Sequence, residues 1–391
     1  MLVYIVILLL LVYLFYVYDL KKETKRKNLC FGIVFIILVL LAGLRYHIGV
    51  DSYRYEIFFN DEIPNVNYYF RFKMYEEREP LWSLFMSIIK TFTNSFVAFQ
   101  FVHAIILNLL IFTFIRKTTD KWFTALLFTY CSYWMSFNFE VLRESLCIGL
   151  FLHGLLLLNK HKVLLYVLFA LIAIGVHRFS FVMFITAPLI VYLNYRLTYA
   201  FLIALVVFIL FFMSDSMLKV LLLLSVDNIN DEAAMKLESY IEGTSSGGFR
   251  TMNIFGYIKV FVVQIALPLM LFLFSNDSKK NHVYKKMMLL FVVINLLSIR
   301  FVIFYRLLNY IGLFIVVFSV NMLYSQVVIS NTKRYFILIG VLFFLSNKIS
   351  GYLNPSPLEY RPYVDYDCRY IPYKTIFEEP DPIRESLFRG L

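Results

Sequence analysis

The 391-residue sequence predicts an all-α fold: a polytopic transmembrane helical bundle of about 12 spans, with outer loops and an extended C-terminal tail. Three observations predict it. Hydrophobic residues make up 61% of the chain and charged residues only 16%, with a mean hydropathy of +0.73, far from the balance of a soluble domain. Apolar runs recur along most of the length. The links between them alternate between basic and non-basic, as the positive-inside rule requires of a multi-pass chain.

The runs cover residues 1–18, 29–44, 96–115, 122–137, 145–158, 163–176, 179–193, 197–213, 254–274, 287–303, 307–326 and 335–346. Several are shorter than the roughly 20 residues of an average span, so tilt or local thinning is expected there. Basic links follow the first run (KKETKRK) and stand near 116 (RKTTDK), 159 (NKHK), 194 (NYR), 276 (SNDSKKNHVYKK) and 331 (NTKR). They are read as cytoplasmic, which places both termini outside. The net charge of +11 is therefore a topology signal and does not point to nucleic acid. Residues 1–18 lack a preceding basic region and a small-residue cleavage pattern, so they read as a retained first span. Four cysteines, three in or beside spans, give neither a disulfide framework nor a metal site.

This divides the chain into a transmembrane domain over 1–346, with outer loops at about 45–95 and 214–253, and an outer Pro/Tyr-rich tail over 347–391. The first loop, GLRYHIGVDSYRYEIFFNDEIPNVNYYFRFKMYEEREPLW, mixes charges with tyrosines and suits a sugar-binding groove; a solvated, salt-bridged loop is the plainer reading for most of its charges. Asp51 lies just beyond a span end. Glu79 precedes Pro80, where a new helix begins, a position from which a carboxylate can enter the bundle. Residues 81–93 are apolar but too short to span and read as a re-entrant or interfacial helix. His103 and His153, each alone on an apolar helix, read as packing residues.

The stretch from Asn138 to Ser180 organises the rest. The ionic cluster Glu140, Arg143 and Glu144, an apolar run, the link NKHK, a second run, and then His177 and Arg178 predict a membrane hairpin with both charged clusters at one face. Charges at a span edge are costly in lipid and by default mark function. Histidine can take a proton near neutral pH, and a guanidinium suits phosphate or pyrophosphate. From Met287 to Tyr324 the chain is too long for one crossing and must turn back near SIRFVIFYRLLNY, bringing Arg300, Arg306 and Tyr310 to the outer side. The tail, GYLNPSPLEYRPYVDYDCRYIPYKTIF, is expected to be an extended arm folded over the outer cavity, with free disorder as the alternative.

In order along the chain, GLRYHIGVDSYRY, REPLW, FEVLRESLCIGLFL, ALIAIGVHRFS, YRLLNY and YIPYKTIF make the sequence resemble the EpsG family of Wzy-type bacterial polysaccharide polymerases. It departs from the family at Glu144, where Gln commonly follows Arg, and at Arg178, since the family commonly has Ser two residues after His. The resemblance implies a glycosyltransferase of exopolysaccharide, capsule or O-antigen assembly, multi-pass in the inner (cytoplasmic) membrane, whose active site faces outside. It would join oligosaccharide repeat units carried on undecaprenyl pyrophosphate, without a cofactor. The implied partners are the lipid-linked donor and acceptor, membrane lipid, and a chain-length regulator as a further candidate; nucleic acid is not among them. On this reading the catalytic candidates are His177, Asp51, Glu79, Arg143 and Glu144. Arg143, Arg178, Arg300 and Arg306 bind pyrophosphate, and Arg45, Tyr53, Tyr310 and Tyr373 bind sugar. No metal site is expected. A glycan ligase or a flippase for lipid-linked oligosaccharide is the alternative.

Overall fold

A computed structural model of the chain describes residues 2–49, 51–71, 73, 79–192, 254, 256, 258, 261–275, 279–300, 304–325, 331–353, 370–371 and 373–378. Among these residues the named elements are all helical, and extended pairing is confined to an isolated antiparallel bridge between Arg45 and Thr375. The expected outer lid at 214–253 and most of the tail lie outside the described residues, as does Cys368.

The chain forms two compact units, one of Met1–Ile185 with Leu345–Leu391 and the other of Thr186–Phe344. The first holds α1 (Leu2–Leu14, prolonged by a π-helical turn, Phe15–Leu20), α2 (Lys27–Gly43), α3 (Ser52–Ile57), α4 (Val66–Arg71) and α5 (Pro80–Phe92). It continues with α6 (Phe96–Thr118), α7 (Trp122–Thr129), α8 (Met135–Phe139), α9 (Leu142–Asn159) and α10 (Val163–Val176), and α11 (Phe181–Tyr192) leads out of it. The second holds α12 (Leu267–Phe274), α13 (Lys279–Arg300) and α14 (Tyr305–Tyr324), and α15 (Asn331–Leu353) leads back.

Leu2–Leu20, Phe96–Thr118, Leu142–Asn159 and Tyr305–Tyr324 are long and apolar enough to cross a membrane. Lys27–Gly43, Val163–Val176, Arg178–Tyr192 and Phe261–Phe274 are apolar but shorter. Helices suit lipid because they satisfy their own backbone groups. The outward faces agree: Leu9, Leu109, Leu164 and Leu171 are all exposed. The described helices do not by themselves raise the span count to about 12.

In the first unit, packing fixes the direction of each helix. His103 and Thr113 of α6 meet the Leu142 carbonyl and His153 of α9 in the same order, so α6 and α9 run parallel. Cys147 of α9 donates to the Ala173 carbonyl of α10, while Tyr166, near the start of α10, packs on Gly154, so these two form an antiparallel hairpin closed by Lys160–Lys162. His103 and His153 are thus bonded packing residues, as read from the sequence.

The basic links after α1 and α6 meet at one end of this unit. The buried Asp19 carboxylate accepts from the Thr124 amide and hydroxyl (2.7 and 2.8 Å) and lies 3.6 Å from Lys27 Nζ, while Lys121 Nζ reaches the Asp19 carbonyl. The opposite end receives the C-terminus of α2, the starts of α5 and α9 and the end of α10. There Asn108 donates to Asn138 and accepts from the Trp134 indole (both 2.8 Å), a satisfied buried network that fixes the turn from α8 into α9.

Gly49 holds the loop between α2 and α3 against this end. Its φ of +96° is natural only to glycine, and a Cβ there would strike the Phe139 carbonyl. Gly49→Ala is expected to cost about 1–3 kcal/mol from backbone strain, before any cost of the clash, and to lower the thermal midpoint of the purified protein.

In the second unit, Tyr284 of α13 stacks on Phe318 of α14 (5.0 Å), and Asn295 donates to the Gln264 and Phe291 carbonyls. The break between α13 and α14 falls in the SIRFVIFYR stretch where the sequence required a turn. The last helix does not stop at residue 346 but continues through Asn347 to Leu353.

Candidate active site

Glu79 closes the site. It occupies the N-cap position of α5, but its carboxylate makes no capping bond, and Pro80 follows as the first helical residue. Proline is well placed at that position, because the amide it lacks would have no partner within the helix. The carboxylate instead joins two helices: one oxygen pairs with Arg143 Nη1 and the other lies 2.6 Å from His177 Nδ1. Close helix contact makes this possible. Gly175, two residues before His177, lets Leu81 of α5 approach so closely that a Cβ would come within 2.6 Å of its side chain. Further along α5, Ser87 and Lys90 donate to the carbonyls of Pro64, Phe59 and Asn60, tying it to the loop that carries α3.

Arg143 is held from a third side. Its Nε donates to the Tyr55 hydroxyl (3.4 Å), and its guanidinium lies 5.7 Å from the centre of the Tyr55 ring. That ring packs edge-on against Trp82 of α5 (5.6 Å). Burial raises the Tyr55 pKa, with the nearby Asp51 charge adding to it, so the hydroxyl stays protonated. The Arg143 side chain is 40% exposed, so it reaches the surface while the Glu79 carboxylate that anchors it is covered.

Burial alone would raise the pKa of Glu79. The His177 hydrogen bond and the Arg143 charge outweigh it and hold the carboxyl below its ordinary value. An ionised carboxylate only accepts hydrogen bonds, so His177 must donate through Nδ1. In the neutral ring Nε2 is then the basic nitrogen; it is buried and has no protein hydrogen-bond partner among the described residues. A carboxylate orienting an imidazole, with a guanidinium on its other oxygen, can take a proton at one point and stabilise an anion at another.

The structure therefore brings together Glu79, Arg143 and His177 of the residues singled out in the sequence. Asp51 stands half-buried at the start of α3, near Tyr55. The helical spacing that would set Glu140 beside both Arg143 and Glu144 is not realised. The helix breaks at Glu140 and Val141, both glutamates are buried, and the ion pair of Arg143 goes to Glu79. Arg178 is exposed and in no ion pair among the described residues.

Arg45 and Tyr373 meet under the tail. Arg45 is only 1% exposed; its guanidinium donates to the Ala42 carbonyl at the C-terminus of α2, which favours positive charge, and to the Ile48 carbonyl in the loop beyond, and burial lowers its pKa to about 10. Tyr373 donates to the Leu41 carbonyl (2.8 Å), and burial raises its pKa to about 12. Tyr53 lies in α3 beside the His47 ring. In the second unit, Arg306 is exposed and Tyr310 is fully buried one turn later, while Arg300 ends α13 and its side chain lies outside the described residues.

Sequence reasoning missed Tyr55, Trp82 and the His47–Glu56 pair. Tyr55 is one turn after Asp51, a spacing that puts both on one face of a helix, and that was the available signal.

A family model described as the EpsG family matches residues 28–363. The chain belongs to the EpsG family. The match spans α2 to the segment beyond α15 and so includes Tyr55, Glu79, Arg143 and His177. No curated protein and no solved structure matches the chain. EpsG proteins are polysaccharide polymerase-type membrane proteins, which agrees with the apolar helices of this chain.

Proposed function

We propose that this EpsG protein is a glycosyltransferase that polymerises oligosaccharide repeat units carried on undecaprenyl pyrophosphate, at the outer face of the bacterial cytoplasmic membrane. The observation that carries the reading is the Glu79 carboxylate shared between Arg143 and His177, at the end of the helical unit opposite its basic links. Those links would face the cytoplasm, so the cluster would face out. An enzyme there needs a donor already activated in the membrane, and a lipid pyrophosphate is one.

In this mechanism an acceptor hydroxyl attacks the anomeric carbon of the donor. The new carbon–oxygen bond forms as the bond to the pyrophosphate oxygen breaks, and the electron pair leaves with undecaprenyl pyrophosphate. His177 Nε2 takes the hydroxyl proton, with Glu79 holding the ring and stabilising the imidazolium. Arg143, exposed on one side and backed by Tyr55, neutralises the leaving pyrophosphate. Arg178, Arg300 and Arg306 are further candidates for the pyrophosphate. Asp51 and Glu144 remain candidates in the proton chemistry, and Tyr310 and Tyr373 in holding sugar.

Deletion of the gene in its own host tests the reading. The glycan ladder should collapse to single repeat units on outward-facing lipid. A full ladder left unattached to its carrier would identify a ligase instead, and repeat units trapped on the cytoplasmic side would identify a flippase.

A further inference from the structure

We infer that His47 and Glu56, with the rings of Tyr46 and Tyr53, form a saccharide subsite for the acceptor sugar; this rests on the polymerase reading above. Tyr55 and Glu56 are consecutive, with α-carbons about 3.8 Å apart. Tyr55 turns to Arg143, whereas Glu56 turns to His47, its Oε2 lying 2.5 Å from His47 Nε2. Successive helical side chains diverge by about 100°, so a ligand held at Glu56 would not occupy the Arg143 position, although the two residues that reach them are adjacent in α3. Glycosyl transfer needs this arrangement: the leaving pyrophosphate and the incoming hydroxyl must approach one anomeric carbon from neighbouring positions.

The chemistry of the pair favours a neutral, hydroxyl-rich ligand over an anion. Glu56 gives one oxygen to His47 while its side chain stays 29% exposed, and its negative charge would repel phosphate. A sugar hydroxyl can donate to such a carboxylate. Two aromatic rings flank the His47 imidazole that the carboxylate holds: Tyr46 stacks on it at 4.1 Å, and Tyr53 meets it edge-on at 5.5 Å. Aromatic faces with a polar group at their edge suit the apolar faces and hydroxyl rims of sugars.

The subsite is also preorganised. His47 is held at φ +44°, a conformation few side chains adopt. The backbone before it is pinned by the tail: the Tyr46 amide donates to the Lys374 carbonyl (2.9 Å) and the Ile376 amide to the Leu44 carbonyl (3.1 Å). Tyr4 secures the same strap through the Tyr370 carbonyl (2.8 Å). A solvated surface salt bridge has no need of such fixing.

The test uses full-length reconstituted protein, its lipid-linked repeat unit as donor, and the repeat-unit oligosaccharide on a neutral alkyl anchor as an acceptor that cannot donate. Glu56→Gln and Tyr53→Ser should each raise the acceptor KM about tenfold, the effect of losing one strong contact, with little change in kcat. If Glu56→Gln does not insert, Tyr53→Ser decides alone. An unchanged acceptor KM in an active variant overturns the subsite and leaves the polymerase reading standing. Wild-type protein that transfers nothing to the acceptor and releases no undecaprenyl pyrophosphate overturns both.

Discussion

Arg143→Ala should slow chain extension by about 10²- to 10³-fold, the usual cost of removing one preorganised group that stabilises a developing anion. The guanidinium is held by the Glu79 carboxylate, the Tyr55 hydroxyl and the Tyr55 ring face, so on the proposed mechanism little reorganisation would be needed as charge develops on the leaving pyrophosphate. Arg143→Lys should recover only part of the loss. A lysine brings one point charge and cannot serve a carboxylate and a tyrosine in the same planar geometry. Polymer length and yield on a glycan gel, with membrane insertion checked in parallel, report the effect. Wild-type ladders from inserted Arg143→Ala protein would remove the residue from the site.

Glu79→Gln should have an effect of comparable or larger size, about 10³-fold in kcat, because one carboxylate serves two groups. The amide is nearly the same shape but lacks the charge that partners Arg143. It can also offer an N–H to His177 Nδ1, which would favour the wrong tautomer and remove the basic lone pair from Nε2. Stability provides a second readout. The folded-state pKa of Glu79 is lowered from 4.5, so the stabilisation is complete above pH 4.5 and is lost as the pH falls through the depressed folded value. Thermal midpoints of wild-type and Glu79→Gln protein should therefore separate above pH 4.5 and converge as the pH falls below it. A separation that does not shrink on acidification would contradict the assigned role of the carboxylate.

The hairpin of α9 and α10 was legible because two apolar runs flank a short basic link, and hydropathy alone then places Arg143 and His177 at one end. The short α5 was legible for a related reason: Pro80 starts it, and its length forbids a full crossing. The partner of Arg143 was not legible. Helical spacing argued for Glu140, but the chain breaks at Glu140–Val141, and the true partner lies 64 residues earlier, at the start of a helix brought close through Gly175. Local periodicity carries no information about such a contact. Arg45 shows the opposite case. Its type suggested an exposed ligand, yet the C-terminus of α2, the loop beyond and the tail strap bury it, and the strap joins positions more than 300 residues apart. Tyr55 and Glu56 were hidden in a loop rich in tyrosine and charge, where composition does not tell one residue from its neighbour.

On the proposed mechanism, pyrophosphate leaves at Arg143 as each new glycosidic bond forms. The direct measurement counts both products in liposomes holding the protein and its lipid-linked repeat units. Wild-type protein should release one undecaprenyl pyrophosphate per bond, and Arg143→Ala should depress release and bond formation together. Bond formation at the wild-type rate without Arg143, or without release of the pyrophosphate, would contradict the account.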